Sequence, residues 1–147
     1  MSLIPQRKLK VAGSENDIVK HAIAVIKGLL RNDRTIVFSD AGTLVATTNV
    51  SFEIPVPVAL TILRVYINVK TAPTGATLIV DVNKGGTTIF TTQGNRPTIA
   101  ISAKTAESGT PDVTTLAKND ILSIDVDQIG STIAGADLVV QVRCEVA

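Results

Sequence analysis

The sequence predicts a mainly β protein, an antiparallel β-sandwich of jelly-roll-like type preceded by a basic N-terminal arm and one amphipathic α-helix. Three observations predict this fold. The chain holds 18 Val, 16 Ile and 18 Thr, about 35% of its 147 residues, and these β-branched side chains favour pleated, half-buried surfaces. Short β-rich runs alternate with turn residues about every 8–12 positions from residue 35 onward. A 3.6-residue apolar period precedes residue 35, and no helical pattern of 10–15 residues alternates with the later runs.

Composition divides the chain into two parts, residues 1–34 and residues 35–147. All 18 Thr lie in the second part. The first part carries a net charge of +4 and the second a net charge of −3, which together give the +1 of the whole chain. We therefore expect an N-terminal arm and amphipathic helix over 1–34, followed by a β-sandwich domain over 35–147.

The helix is predicted from its start signal and its apolar face. Ser14 is suited to the N-cap, and Asp17 follows at the spacing of a capping box. The apolar face is formed by Ile18, Val19, Ala22, Ile23, Val25, Ile26, Leu29 and Leu30. Such a face must be buried against something, and three partners remain open: the β domain of the same chain, a partner subunit, or a membrane surface.

Ten strands are predicted after the helix, separated by turns rich in Gly, Pro, Asn and Asp. The predicted strands are 35–39, 43–48, 51–54, 60–70, 77–83, 87–92, 98–102, 113–116, 121–127 and 137–146. The clearest hairpin is centred on Gly85-Gly86, because two glycines supply the positive φ angles that a tight turn needs. Leu78, Val80 and Val82 point to one face of its first strand, and Ile79, Asp81 and Asn83 point to the other. Pro55 and Pro57 place their segment at a strand edge or in a connection.

Composition also excludes several classes of protein. With 45% hydrophobic and 18% charged residues, the chain is not intrinsically disordered. Its single cysteine, Cys144, rules out an internal disulfide framework, and its single histidine, His21, rules out a multi-histidine metal centre. A net charge of +1 gives no overall attraction to nucleic acid or to an anionic membrane. The first ten residues lack the apolar run of a secretory signal. No run of apolar residues in the sequence is long enough to span a membrane as a helix.

Few residues have the setting that catalysis requires. His21 lies on the predicted helix beside Lys20, and Cys144 lies in the last strand, where a buried structural residue is expected. Asp125 and Asp127 project from one face of a strand. If the strand holding Asp81 and Asn83 were its neighbour, these oxygens could form a calcium site. The alternative that we favour is a solvent-facing polar side of the sandwich. We expect no catalytic residues, no metal and no cofactor.

Two segments resemble a module that recurs in structural proteins of tailed-bacteriophage virions. They are TAPTGATLIVDVNKGGTTIFTTQGNRPTI (residues 71–99) and KNDILSIDVDQIGSTIAGADLVVQV (residues 118–142). The resemblance is to β-sandwich domains of capsid-decoration, tail-fibre and baseplate proteins, and it extends over residues 52–146. It implies a jelly-roll-like, usually trimeric structural domain without catalytic residues. The arm and helix lie outside it.

Among these virion components we expect a capsid decoration, or cement, protein, because the chain is small, lacks catalytic groups and carries a basic extension and a hydrophobic helix. Such a protein would be located on the virion surface and made in the host cytoplasm. Its expected partners are two further copies of itself and the major capsid protein, with neither nucleic acid nor membrane. The predicted contact residues in the arm and helix are Arg7, Lys8, Lys10, Ile18, Ile23, Ile26 and Leu30. The alternative is a tail-fibre or baseplate module that binds a host receptor. Sugar sites usually offer exposed aromatic residues, whereas the four aromatics here are all expected in the core: Phe38, Phe52, Tyr66 and Phe90.

Overall fold

Ten β-strands and one α-helix form in the residues that this computed structural model describes, which are 15–29 and 33–147. Helix α1 spans Glu15–Leu29. The strands are β1 (Asp33–Thr43), β2 (Ile54–Pro55), β3 (Leu60–Thr71), β4 (Leu78–Lys84), β5 (Thr87–Thr88), β6 (Thr98–Ile99), β7 (Thr105–Glu107), β8 (Thr115–Leu116), β9 (Ile121–Gln128) and β10 (Ala136–Val146).

Helix α1 and the strands belong to two separate compact units. The predicted N-cap, Ser14, lies outside the described residues. The first strand begins at Asp33, two residues before the boundary expected from composition. Asp33 already pairs with Glu145 of β10, and its carboxylate lies 2.9 Å from the Arg143 guanidinium, so the sheet extends as far as this pair.

The strands form two antiparallel sheets. Sheet A has the order β1-β10-β3-β7, with β8 also pairing with β3. Sheet B has the order β2-β9-β4-β5, with β6 also pairing with β4. The chain crosses from one sheet to the other at each step from β1 to β4, once more between β6 and β7, and again at each step from β8 to β10. This strand order is that of a jelly roll, so the predicted fold class is confirmed.

Inward-facing side chains of the two sheets form one hydrophobic core. Val80 and Val82 of β4 and Val140 and Val142 of β10 are completely buried, which is the period-two pattern of strands packed on one face. Cys144 continues the inward row of β10 and is also completely buried. The core therefore uses small and medium β-branched residues and needs few aromatics.

The predicted hairpin is confirmed. Asn83 of β4 pairs with Thr88 of β5, and the two residues between the strands, Gly85 and Gly86, have φ angles of 56° and 78°. Positive φ at both central positions is the requirement of a type I′ turn, whose twist matches that of the flanking strands. The sequence determines this turn locally.

Several local predictions differ from the structure. The strand predicted over 43–48 does not form, because β1 ends at Thr43 and, among the described residues, the rest of this run pairs only through an isolated bridge from Thr47 to Val126. Strands β2, β5, β6 and β8 have two residues each and are shorter than predicted.

The turn expected at residues 40–42 is a bulge inside β1, where the register shifts between Asp40 and Thr43 and the Gly42 N–H donates to Asp137 Oδ1 at 2.8 Å. Strand β7 was not predicted. Its three residues have no apolar alternation, and it forms because β3 offers a partner for Glu107 at Tyr66.

Two loops at one end of the sandwich meet at Gly130. The Thr74 N–H donates to the Ile133 carbonyl at 2.9 Å, and this contact joins the β3–β4 loop to the β9–β10 loop. A Cβ atom added to Gly130 would overlap the Ile133 carbonyl oxygen and would lie 2.8 Å from both the N and the O of Thr74. The position therefore has no room for a side chain.

Replacing Gly130 with Ala is expected to destabilise the domain, because backbone atoms of both loops would have to move. The expected loss of unfolding free energy is about 1–3 kcal/mol or more, as for overpacked interiors. Gly94→Ala is the matched control, since nothing lies within 4 Å of its added Cβ. Chemical denaturation of both variants measures the effect, and equal stability of the two variants would contradict the steric argument.

Candidate functional site

The apolar face of α1 is accessible over residues 18–26. Ile18, Ile23 and Ile26 are 42%, 46% and 51% exposed. Three large aliphatic side chains with this much free surface are a candidate contact with another molecule. The other predicted contact residues lie outside the described residues, and their roles stay predictions: Arg7, Lys8, Lys10 and Leu30.

Carboxylates of β4 and β9 meet on the outer face of sheet B. Asp81 stands directly opposite Asp125 in the strand register, so the neighbouring strands considered from the sequence are indeed adjacent. Asn83 Nδ2 donates to Asp125 Oδ2 at 2.7 Å, and the Asn49 N–H donates to Asp125 Oδ1 at 2.8 Å. Both oxygens of Asp125 are thus engaged by protein donors.

The other two carboxylates of this face also have donors. Asp81 Oδ1 accepts hydrogen bonds from Thr88 Oγ1 at 2.8 Å and from the Val82 N–H at 2.7 Å. Asp127 forms an ion pair with Arg96. No group of three or more His, Cys, Asp or Glu in residues 15–29 and 33–147 is arranged to hold a metal ion. The arrangement is that of a structural polar network.

Part of this face is buried, contrary to the expectation of a solvent-facing polar side. Asp81 and Asn83 are only 7% and 6% exposed. Thr88 lies over Asp81, and residues 47–50 run beside β9, where Thr47 pairs with Val126. Burial raises the pKa of the Asp81 carboxyl above its ordinary value, because the charged form loses solvation, although the bonds from Thr88 and Val82 oppose this effect.

Cys144 has the properties of a packing residue. Its side chain is completely buried in β10, and burial raises the pKa of the thiol to about 11. At neutral pH the thiol is therefore protonated, whereas nucleophilic chemistry requires the thiolate. His21 is exposed on α1.

The prediction that all four aromatics lie in the core is wrong for Phe52 and Tyr66. Phe38 and Phe90 are completely buried, and Tyr66 is half-buried on β3. Phe52 is 68% exposed. It precedes β2 in an irregular segment, where no continuous ladder fixes which side chains point inward.

One end of the sandwich, which we call the uncharged end, carries no ionisable side chain in four adjoining segments: 44–46, 72–77, 99–103 and 129–136. Backbone hydrogen bonds join these segments, from Leu44 N–H to the Gly135 carbonyl at 3.0 Å and from Ser102 N–H to the Pro73 carbonyl at 2.9 Å. Val45, Ile101 and Ile133 are exposed there. Sequence reasoning missed this surface, although the four charge-free runs are visible in the sequence.

No helix in the described residues is long and apolar enough to cross a membrane. No protein-family model matches the chain, and no curated protein matches it. Among solved structures, the cyanophage Pam1 capsid asymmetric unit is similar at 18% identity and a TM-score of 0.44, over 99% of this chain and 98% of that chain. A likeness of this degree shows no family and carries no argument about function.

Replacing Asp81 with Asn tests whether burial of the ionised carboxylate lowers the stability of the domain. The amide oxygen can accept both hydrogen bonds that Oδ1 accepts, and the charge is removed. Because the folded pKa lies above the ordinary value of 3.8, the native state binds the proton more tightly than the unfolded chain, and wild-type stability falls as pH rises through this window. The stability of Asp81→Asn relative to wild type should therefore increase from about pH 4 toward neutral pH.

Asp120→Asn is the control of opposite sign. Hydrogen bonds from Lys84 and from the Ala117 N–H lower the pKa of Asp120, so the ionised form stabilises the fold and this stabilisation is lost as pH falls. Relative to wild type, Asp120→Asn should therefore become less stable as pH rises. Urea unfolding over a pH series measures both variants, and parallel pH profiles for Asp81→Asn and wild type would contradict the prediction.

Proposed function

We propose that the chain is a non-enzymatic structural component of a tailed-phage virion, specifically a capsid decoration protein that binds the outer shell as a homotrimer. The observation that carries the proposal is the exposed apolar face of α1, in a unit separate from a jelly roll that has its own core. An apolar helix face of this kind is stabilised when another protein covers it. The major capsid protein is the proposed cover.

Two further features support this role. Jelly rolls recur in viral capsid proteins, and this is an argument from fold alone. Residues 52–146, which carry the resemblance to phage virion modules, coincide with most of the sandwich. A basic arm with Arg7, Lys8 and Lys10 would add weak electrostatic contacts. Three arms and three helices on one trimer would convert weak single contacts into firm attachment.

A second candidate function is a tail-fibre or baseplate module that binds a host receptor. The exposure of Phe52 favours it, because exposed aromatic rings are common in sugar-binding sites. The uncharged end, with Val45, Ile101 and Ile133 exposed, is a second surface that a receptor could contact. Under this proposal the arm and helix are dispensable for binding.

Removing the arm and helix separates the two functions. The full chain is expected to co-sediment with undecorated phage capsids, and a shortened chain beginning at Asn32 is expected to lose binding because α1 is absent. Thermal unfolding of the shortened chain serves as the folding control. Undiminished sedimentation of the shortened chain would contradict attachment through the helix. If neither chain binds capsids and both bind host cells, the receptor-binding function is the correct one.

A double substitution, Ile23→Asp with Ile26→Asp, should abolish binding to capsids by placing two charges in the apolar contact. The matched control is His21→Asp with Ala24→Asp, which adds two aspartates on the opposite side of α1 according to the 100° rotation per residue. Capsid co-sedimentation of both variants is the measurement. Equal binding by the two double variants would show that the apolar face is not the contact.

A further inference from the structure

Strand β1 leaves one edge of sheet A open. Among the described strands it pairs only with β10, so its opposite side has no strand partner. The pairing with β10 runs without interruption from Asp33 to Asp40, and the bulge comes only after that. Val37, at the middle of this regular stretch, is 49% exposed. A long, regular edge of this kind is a template for pairing with another strand.

The direction of the backbone groups on this edge follows from one contact. The Ser39 carbonyl accepts a hydrogen bond from Ser51 Oγ at 3.3 Å, and Ser51 lies outside sheet A. The Ser39 carbonyl therefore points away from β10. Because alternate residues of a strand direct their N–H and C=O groups to the same side, Thr35 and Val37 present theirs to the open edge as well.

The edge is complementary to a copy of itself. When two β1 strands are placed antiparallel with Val37 opposite Val37, Arg34 of each copy stands opposite Asp40 of the other. Thr35 then stands opposite Ser39, and Ile36 stands opposite Phe38. Opposite charges across an antiparallel pair stabilise it, and this register supplies two such pairs. A shift of two residues in either direction leaves both charges opposite uncharged residues.

Arg34 and Asp40 have no ion-pair partner among residues 15–29 and 33–147. The neighbouring Asp33, by contrast, is already paired with Arg143. Both charges are therefore available for a second copy. The same register directs the N–H and C=O groups of Thr35, Val37 and Ser39 toward their counterparts. The Ser39 carbonyl already accepts a hydrogen bond from Ser51 Oγ, and its second lone pair is the acceptor for the partner strand.

We propose that two copies of the chain pair through β1, antiparallel about a twofold axis at Val37, so that sheet A continues from one copy into the other. The occupant of this edge is a second copy because its charges match in this register and no like charges meet. The proposal does not depend on the capsid function. In a trimeric decoration protein, the contact would join neighbouring trimers across a twofold axis.

A charge exchange tests the register. Arg34→Asp places two aspartates opposite each other at both pairs, and Asp40→Arg does the same with arginines. In sedimentation equilibrium of the full chain, the mass of each variant is expected to be roughly half that of wild type or less. An equimolar mixture of the two variants restores Asp opposite Arg at both positions, so the mixture should recover the wild-type mass. Lys104→Asp, an exposed charge reversal outside β1, should leave the mass unchanged.

A second variant covers the case in which a charge reversal in β1 prevents folding. Val37→Lys puts two ammonium groups at the twofold axis on a solvent-facing position, and it should halve the mass while leaving the thermal unfolding of the domain intact. Equal masses for wild type, Arg34→Asp and Val37→Lys would overturn the proposal. Failure of the mixture to recover the wild-type mass would overturn the register.

Discussion

The pairing of β3 with β10 is the interaction on which the rest of the sandwich depends. It runs from Leu60 opposite Val146 to Thr71 opposite Ala136 and joins the first third of the domain to its last residues. Among the strands that the structure describes, β1 pairs only with β10, and β7 and β8 pair only with β3. Sheet A therefore cannot be completed before the C-terminal strand docks, and contacts between residues so distant in the sequence slow folding.

Sheet B differs from sheet A, because hydrogen bonds between polar side chains on its outer face also stabilise it. Asp81 and Asp125 stand opposite each other, an arrangement that is destabilising when both charges lack partners. Here Thr88, Asn83 and the Asn49 backbone donate to these carboxylates, and no buried side-chain N or O atom in the described residues lacks a hydrogen-bond partner. The carboxylates of Asp81 and Asp125, which the sequence offered as a possible calcium site, thus hold the segments of Thr88 and Asn49 against β4 and β9.

The surfaces offered for contact are an apolar helix face, the uncharged end and an open strand edge. Each surface is suited to contact with another protein. The helix face offers aliphatic side chains, and the uncharged end lacks ionisable groups that would lose solvation. Strand β1 offers unpaired backbone groups and matched charges. The three surfaces divide between the two units of the chain. The proposed attachment to a shell and the proposed contact between copies therefore involve different segments and can be tested separately.

Local sequence patterns determined α1, the type I′ turn at Gly85-Gly86 and the long strands β3, β4, β9 and β10, because periodicity and turn chemistry act within a few residues. Only the tertiary structure decided which strands are neighbours. That choice buries Asp81 and Asn83, leaves Phe52 outside the core and creates β7 as a partner for β3. The alternation of apolar and polar residues predicts that the two faces of a strand differ. Whether a face meets water, a loop or the opposite sheet depends on segments distant in the sequence.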